Sequence, residues 1–179
     1  MRSTMQKQTF SKNIENIVFR KPTADDGKNM YQLVKKAKTL DLNSPYSYLM
    51  WAKYFYDTSV IAENDDTLIG FASGYILPNS PETLFVWQIA VDEEQREKGL
   101  ATRLLVHLLK QTANKNIRYI EATVTPSNTP SKKLFKSLAD KLNTKCEVDI
   151  CFSAEQFPNS SHEPEFTYRI GPINERKNN

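Results

Sequence analysis

Residues 84–101 read LFVWQIAVDEEQREKGLA, and they carry the strongest structural signal in the chain. The first part of this stretch, residues 84–91, is almost wholly apolar, which predicts a central strand covered on both faces of a sheet. A leucine-rich pattern with helical spacing follows from about Leu100 to Thr112. Gly99 lies at the junction, although a glycine within a helix costs roughly 1 kcal/mol relative to alanine. The stretch therefore predicts a strand, a short loop and a helix, with a bare backbone where the helix begins.

The beginning of this helix has the properties of an anion site. The first amides of a helix lack internal partners, and the helix dipole attracts negative charge to them. A glycine at position 99 lets a phosphate approach those amides, and Arg96 and Lys98 add positive charge nearby. The pattern R-x-x-G-x-A (Arg96, Gly99, Ala101) thus indicates a phosphate cradle, although short glycine patterns also arise at ordinary helix starts.

Further strands and helices alternate on both sides of this stretch. Strands are predicted at 16–22, 58–63, 67–77, 117–123, 146–152 and 166–170, and helices from 23 to about 37, at 46–55 and at 129–142. The order predicts an α/β (α+β) fold with a mixed sheet and helices on both sides. One domain is expected over residues 14–172, between a flexible N-terminus (1–13) and a flexible tail (173–179).

Composition excludes several classes of protein. The net charge is only +3 and the lysines are scattered, so we expect no nucleic-acid partner. No apolar run approaches the ~20 residues that cross a bilayer, and the N-terminus does not resemble a secretory signal. The spacing of Cys146 and Cys151 matches no zinc or redox motif, and only two histidines are present, so no metal site is expected. A cytoplasmic protein with two reduced thiols is the simplest interpretation.

The loop and helix resemble the GNAT superfamily of acetyl-CoA-dependent N-acetyltransferases. That superfamily has a Q/R-x-x-G-x-G/A loop after its fourth strand, here QREKGLA, and an N-x-x-[SA]-x-x-L-[FY] motif after its fifth. In this chain the second motif consists of Asn128, Ser131, Leu134 and Phe135. The resemblance implies a GNAT fold in which the fourth and fifth strands splay apart and acetyl-CoA binds between them, without a metal.

The resemblance also implies roles for particular residues. The backbone of Ile89, Ala90 and Val91 would bind the pantetheine arm, and the Ile89 amide would stabilise the oxyanion. The pyrophosphate would be held by Gln95, Arg96, Glu97, Lys98, Gly99, Leu100, Ala101 and Thr102, and the far side of the cofactor by Asn128 and Ser131. Two departures matter: Glu97 puts an acidic group near the pyrophosphate, and Phe135 replaces a tyrosine that often protonates the leaving thiolate.

A narrower resemblance covers nearly the whole chain, from about residue 17 to 172. The segments LDLNSPYSYL, GFASGYILP, LFVWQIAV, TVTPSN and HEPEFTYRIGP are similar to those of the L-2,4-diaminobutyrate acetyltransferases of ectoine biosynthesis. Members of that family transfer acetyl to the 4-amino group and leave the α-amine free. They act without metal and are typically homodimers.

This activity needs a pocket for a diamino acid with two ammonium groups. The candidate substrate-binding residues are Asp41, Asn43, Tyr46, Phe85, Trp87, Glu121 and His162. Asp41 would bind an ammonium through a charge-assisted hydrogen bond, and Trp87 would offer a cation–π face. Glu121, expected across the splay from Trp87, would accept a proton from the attacking amine, with His162 as the rival base.

Each of these residues also has a purely structural interpretation. Asp41 would cap the following helix, Trp87 would belong to the core, and Tyr46 would pack in the SPY turn. Glu121 would alternate out to solvent, and His162 would be a loop residue bonded to the backbone. Phe135 cannot protonate the leaving thiolate, but a CoA thiol is acidic enough to leave without much help, so we expect direct single displacement with no acetyl-cysteine intermediate.

Three other functions remain open at this point. The first is acetylation of another small amine, such as a polyamine or an antibiotic. The second is acetylation of a protein N-terminus or lysine. The third is sensing of acyl-CoA without catalysis. Asp41, Tyr46 and Trp87 favour a small closed site over the open groove that a protein substrate needs.

Overall fold

Seven strands form one mixed sheet in this computed structural model, which describes residues 16–38, 40–112, 115–158 and 162–173. The strands are β1 (Ile17–Arg20), β2 (Ser59–Asn64), β3 (Thr67–Leu77), β4 (Ser80–Val91), β5 (Tyr119–Val124), β6 (Lys145–Phe152) and β7 (Glu165–Gly171). Their order in the sheet is β1-β2-β3-β4-β5-β7-β6, and β4 and β5 are a parallel pair. The predicted mixed sheet with 84–91 in its centre is confirmed. The segments predicted to be flexible, 1–13 and 173–179, lie outside the described residues except for Ile173.

Helices cover both faces of the sheet. They are α1 (Gly27–Ala37), α2 (Pro45–Tyr54), α3 (Leu100–Gln111) and α4 (Thr129–Lys141). α1 and α2 bury Met30, Val34 and Tyr48 against Phe71 on one face. On the other face the leucines of α3 and the apolar side of α4 form the larger core. The apolar spacing in the sequence therefore predicts the helix faces correctly, because each stripe must be removed from water. No helix in the described part of the chain is long and apolar enough to cross a bilayer.

Polar side chains set where the helices begin. Ser44, followed by Pro45, caps α2 by accepting a hydrogen bond from the Ser47 amide at 3.4 Å. Asn128 caps α4 in the same way through the Ser131 amide at 3.1 Å. Because Ser44 is the cap of α2, the Asp41 carboxylate is not required for that role.

The register of β4 creates a gap in the sheet. β4 pairs with β5 only through Thr83–Tyr119, Leu84–Ile120 and Phe85–Glu121, and beyond Phe85 the two strands separate. On its other side β4 pairs with β3, and a shift between Ser73 and Gly74 leaves Trp87 as an additional residue of β4. Such a bulge bends its strand. The splay that the family resemblance implied is thus present.

The prediction that β4 is covered on both faces is wrong at Trp87. This side chain is 49% exposed, while its neighbours Val86 and Ala90 are buried. Burial of β4 is interrupted where the sheet opens, so Trp87 does not belong to the core.

An ionic network joins β1, β2 and the start of α1. The Arg20 guanidinium donates to both carboxylate oxygens of Asp26 at 2.8 and 2.9 Å and also binds Glu63. Asp26 also accepts a hydrogen bond from the Thr23 amide at 2.6 Å. Burial by itself would raise the pKa of Asp26, but the hydrogen bonds from Arg20 and Thr23 outweigh it and hold that pKa below its usual value.

We expect Asp26→Asn to lower the free energy of unfolding at pH 7 by about 1–3 kcal/mol. A carboxyl whose pKa is lowered by folding stabilises the fold above its unfolded pKa, and this contribution disappears as pH falls through its folded pKa. The difference between wild type and variant should therefore shrink below about pH 4. Urea unfolding from pH 3 to pH 7 measures it, and a difference that stays constant with pH would contradict the assignment.

Candidate active site

A cleft of about 290 Å³ opens where β4 and β5 separate. Its walls come from residues 85–89 of β4, 122–125 at the end of β5, and Asn128, Ser131 and Phe135 of α4. Leu40, Asp41 and Asn43 of the α1–α2 loop and Glu165 of β7 complete it. The sequence predicted seven of these lining residues as binding residues: Asp41, Asn43, Phe85, Trp87, Ile89, Asn128 and Ser131. Their convergence makes this cleft the candidate active site.

The backbone of β4 presents hydrogen-bonding groups to the cleft. The Asp92 amide donates to Ile69 O of β3 at 2.8 Å. Because backbone groups alternate in direction along a strand, Ala90 also faces β3, while Ile89 and Val91 face the gap. An extended ligand arm in the gap would pair with Ile89 and Val91. By this alternation the backbone groups of Ala90 point toward β3, so the arm would meet Ile89 and Val91 rather than Ala90.

The loop before α3 has the conformation that the sequence pattern suggested. Gly99 has φ of 74°, in the left-handed region, and a Cβ placed on it would meet no atom within 4 Å. The first backbone bond of the helix runs from the Arg103 amide to Gly99 O at 3.1 Å, which leaves the amides of Leu100, Ala101 and Thr102 outside the helical ladder. The open side of Gly99 and these amides fit a phosphate. The acidic Glu97 is exposed.

Position 99 favours glycine because of its left-handed φ as well as for the access it gives to a phosphate. The turn between the end of β4 and this loop is held by Asp92, whose carboxylate accepts hydrogen bonds from the Glu94 amide at 3.0 Å and from Lys36 Nζ at 3.2 Å. These contacts place the loop at the end of β4, next to the edge that Ile89 and Val91 present. A diphosphate at the helix start and an extended arm along β4 would therefore belong to one ligand.

Two aromatic residues, Phe85 and Trp87, line the cleft, and further aromatic rings pack against them. Trp87 stacks on Trp51 of α2 with ring centroids 5.7 Å apart, and Trp51 stacks on Tyr75 at 6.2 Å. Tyr75 in turn contacts Phe85 at 5.3 Å. The indole of Trp87 thus stands half-exposed beside the gap, where a cation would find a π face.

Two carboxylates line this cleft and are close enough to interact electrostatically. Asp41 and Glu165 both line it, and the charge of Asp41 contributes to the environment of Glu165. Burial raises the pKa of Glu165, and a hydrogen bond with Thr123 and the charge of His162 oppose that rise. An ammonium group is the natural partner for such a pair. Sequence reasoning missed Glu165 as a site residue, although the H-E-P-E segment that contains it was noted.

His162 lies next to this pair without lining the cleft. Its Nδ1 is 2.6 Å from Glu163 O, and its ring stacks on Phe157 with centroids 3.8 Å apart. Glu163 receives hydrogen bonds from the amide and the hydroxyl of Ser127. These contacts hold the segment before β7 against the loop after β5.

Glu121 lies at the base of the splay. It pairs with Phe85, rather than across the gap from Trp87, and its carboxylate forms an ion pair with Arg169 of β7. Arg169 also stacks over Tyr119 at 3.8 Å and donates to Thr83 Oγ1 at 3.4 Å. Glu121 therefore joins three strands, and it is not among the residues that line the cleft.

Other predicted residues fall outside the cleft. Tyr46 is 67% exposed in the first turn of α2 and does not contribute to the wall. Cys146 is partly buried beneath α4, Cys151 is exposed, and neither lines the cleft. In the described ranges, no group of three or more His, Cys, Asp or Glu side chains is arranged to hold a metal ion.

The family model of the acetyltransferase (GNAT) family matches residues 27–139, which include the loop, the splayed strands and most of α4. The chain therefore belongs to the GNAT acetyltransferases. Solved structures of low identity show the same fold, among them the ribosomal-protein-S18-alanine N-acetyltransferase from Escherichia coli (16% identity, TM-score 0.70, 91% of this chain and 98% of that one).

More similar relatives identify a narrower family within the GNAT acetyltransferases. The L-2,4-diaminobutyric acid acetyltransferase of Marinococcus halophilus is 49% identical over 90% of this chain and 93% of its own length. That of Halalkalibacterium halodurans is 50% identical over 88% of this chain and 82% of its own. Within the GNAT family, the chain thus belongs to the L-2,4-diaminobutyric acid acetyltransferases.

A solved structure from this narrower family has the same architecture. Diaminobutyrate acetyltransferase EctA from Paenibacillus lautus, in complex with its substrate L-2,4-diaminobutyric acid and coenzyme A, is 40% identical, with a TM-score of 0.84. The match covers 91% of this chain and 99% of that one. The family resemblance noted in the sequence is confirmed.

Proposed function

We propose that this chain transfers the acetyl group of acetyl-CoA to the 4-amino group of L-2,4-diaminobutyrate, and so supplies N4-acetyl-L-2,4-diaminobutyrate for ectoine synthesis. The observation that carries the proposal is the cleft at the β4–β5 splay, which is lined by two carboxylates, an indole and the strand that leads into the loop before α3. A diamino acid brings two ammonium groups to Asp41, Glu165 and Trp87.

Acetyl-CoA supplies the activated acetyl group. The residues that would hold its pyrophosphate are 95–102, with the amides of Leu100, Ala101 and Thr102 as donors. The edge of β4 would pair with the pantetheine arm through Ile89 and Val91. Asn128 and Ser131 line the cleft on the other side, although the Asn128 side-chain oxygen is already used as the cap of α4.

Glu165 is the group best placed to take the proton of the reacting ammonium. Only a neutral amine attacks a thioester, so a base must accept this proton at the cleft. Glu165 lines the cleft, and burial raises its pKa toward the working range of a base. The Ile89 amide, which faces the gap, would donate to the carbonyl oxygen as negative charge develops on it. The charge of His162 opposes the rise in the pKa of Glu165 that burial causes.

Glu121 is the competing base, and its contacts favour a structural role instead. Its carboxylate is bound by Arg169 at the base of the splay. We expect Glu121→Gln to lower the free energy of unfolding and to leave the pH dependence of kcat with its wild-type shape. Stopped-time assays from pH 6 to pH 10 measure this profile. Loss of its acidic limb would restore Glu121 as the base.

We infer a direct displacement, in which the amine nitrogen bonds to the thioester carbon and the C–S bond breaks. A CoA thiol is acidic enough, near ~8.5 for model thiols, to leave as the thiolate without a tyrosine at position 135. Because neither cysteine lines the cleft, a double variant Cys146→Ala, Cys151→Ala should keep kcat within about threefold of wild type. Trapping of acetyl on either thiol, seen by mass spectrometry, would contradict this mechanism.

The proposed function is tested with purified protein, acetyl-CoA and a panel of amines. L-2,4-diaminobutyrate should give the highest kcat/KM, and NMR should locate the acetyl group on N4. Putrescine or an aminoglycoside as the better substrate would favour the alternative, a GNAT enzyme for another small amine. We propose further that the protein is a cytoplasmic homodimer, as its family resemblance implies, and light scattering measures that mass.

A further inference from the structure

The side chain of Gln88 connects the central strand to the loop above the cleft. Its Nε2 donates a hydrogen bond of 2.9 Å to the backbone carbonyl of Asp41. Gln88 lies immediately after the additional residue Trp87, and its own carbonyl accepts a hydrogen bond of 3.4 Å from Ser73 Oγ. The anchor of the loop is thus part of the strand that bounds the gap.

Among the described residues the loop is also held by Leu40, which packs against the core beneath α1 and α2, and by a hydrogen bond to Tyr48. It connects α1 to α2 and contributes Leu40, Asp41 and Asn43 to the cleft. The hydroxyl of the buried Tyr48 accepts from the Asn43 amide at 3.4 Å, which is a long hydrogen bond. The Gln88 contact is the shorter of the two. The amide group of Gln88 therefore helps to fix the backbone from which the Asp41 carboxylate projects.

We propose that Gln88 is a positioning residue that determines amine affinity by holding Asp41 opposite Glu165. The inference rests on the proposed function, because the paired carboxylates are its ammonium site. Gln88 acts through the Asp41 backbone and not on acetyl-CoA, whose expected contacts are the backbone of Ile89 and Val91 and the amides at the start of α3. A diamine with two positive charges gains from two carboxylates at a set separation, so a displaced Asp41 weakens its binding.

Glutamate is the sharpest replacement at this position. Gln88→Glu keeps the length of the side chain, removes the N–H donor and places a carboxylate against the Asp41 carbonyl. We expect the KM for L-2,4-diaminobutyrate to rise about tenfold, with the KM for acetyl-CoA within about twofold of wild type. Gln88→Met, which removes the donor without adding charge, should also raise the KM for L-2,4-diaminobutyrate. The exposed Gln32 of α1 provides the matched charge control, as Gln32→Glu should change neither constant.

A double-mutant cycle separates positioning from direct contact, since Gln88 also lines the cleft. If Gln88 acts through Asp41, the variant carrying both Gln88→Glu and Asp41→Asn should have a KM for the diamine within about twofold of Asp41→Asn alone. Additive effects would overturn the proposal and make Gln88 a direct ligand of the amine.

Hydrogen exchange tests the hydrogen bond between Gln88 and the Asp41 backbone without measuring turnover. Peptides that cover residues 40–44 should exchange faster in Gln88→Glu and Gln88→Met than in wild type or Gln32→Glu. Unchanged exchange would overturn the positioning role even if the protein is an active acetyltransferase. Failure of the proposed function is distinguishable from this result, because the wild-type protein would then form no acetylated diaminobutyrate.

Discussion

Glu165→Gln is expected to lower kcat with L-2,4-diaminobutyrate by about 10²–10⁴-fold, the usual contribution of a positioned general base. Glutamine keeps the shape of the side chain and its contact with Thr123, but it cannot accept a proton. In the wild type, the acidic limb of the kcat profile should reflect protonation of Glu165, whose pKa burial raises above that of an ordinary glutamate. Below that pKa the carboxyl is neutral and cannot act as a base.

The pH profile of the variant makes this prediction specific. Without the base, the remaining rate should rise continuously with pH as the substrate amine loses its own proton. Glu82→Gln is the matched control, because Glu82 is paired with Arg118 away from the cleft and should leave kcat close to wild type. A Glu165→Gln variant with wild-type kcat and an intact acidic limb would remove Glu165 as the base.

The second large effect is expected at the helix start. Gly99→Trp should lower kcat/KM for acetyl-CoA by roughly 100-fold, with the KM for the diamine much less affected. Gly99 faces open space, and the indole would occupy the place where a phosphate approaches the amides of α3. Initial-rate measurements with each substrate varied in turn give both constants.

Gly99→Ala controls for the backbone. An alanine at φ of 74° has the same conformational strain, about 1–2 kcal/mol, without the bulk of the indole. Both variants should lose comparable thermal stability, and only the tryptophan variant should lose most of its affinity for acetyl-CoA. Equal kinetic effects in the two variants would mean that conformation matters at this position and phosphate access does not.

Much of the fold was predictable because its signals are local. The apolar run of β4, the leucine spacing of α3 and the glycine between them each lie within a few residues, and the structure agrees with all three. The caps at Thr23 and Asn128 are likewise encoded next to the helices that they begin.

The site was predictable only where backbone geometry places it. Asp41, Phe85 and Trp87 line the cleft as expected, and the Ile89 backbone faces it. Tyr46 does not contribute, because the direction of α2 turns its first residues toward solvent. Nothing in the order of residues 44–48 reveals that direction.

Sequence patterns were sufficient for the family, the order of the elements and the glycine at the start of α3, since periodicity, capping and left-handed glycine are short-range properties. The tertiary structure was needed to see that Glu165 lines the cleft and Glu121 does not. β7 lies between β5 and β6, which brings Glu165 to the cleft and Arg169 to Glu121 across 48 residues of chain. Partners so distant in sequence are chosen by sheet order and register, because a charged side chain binds whichever opposite charge the fold brings within reach.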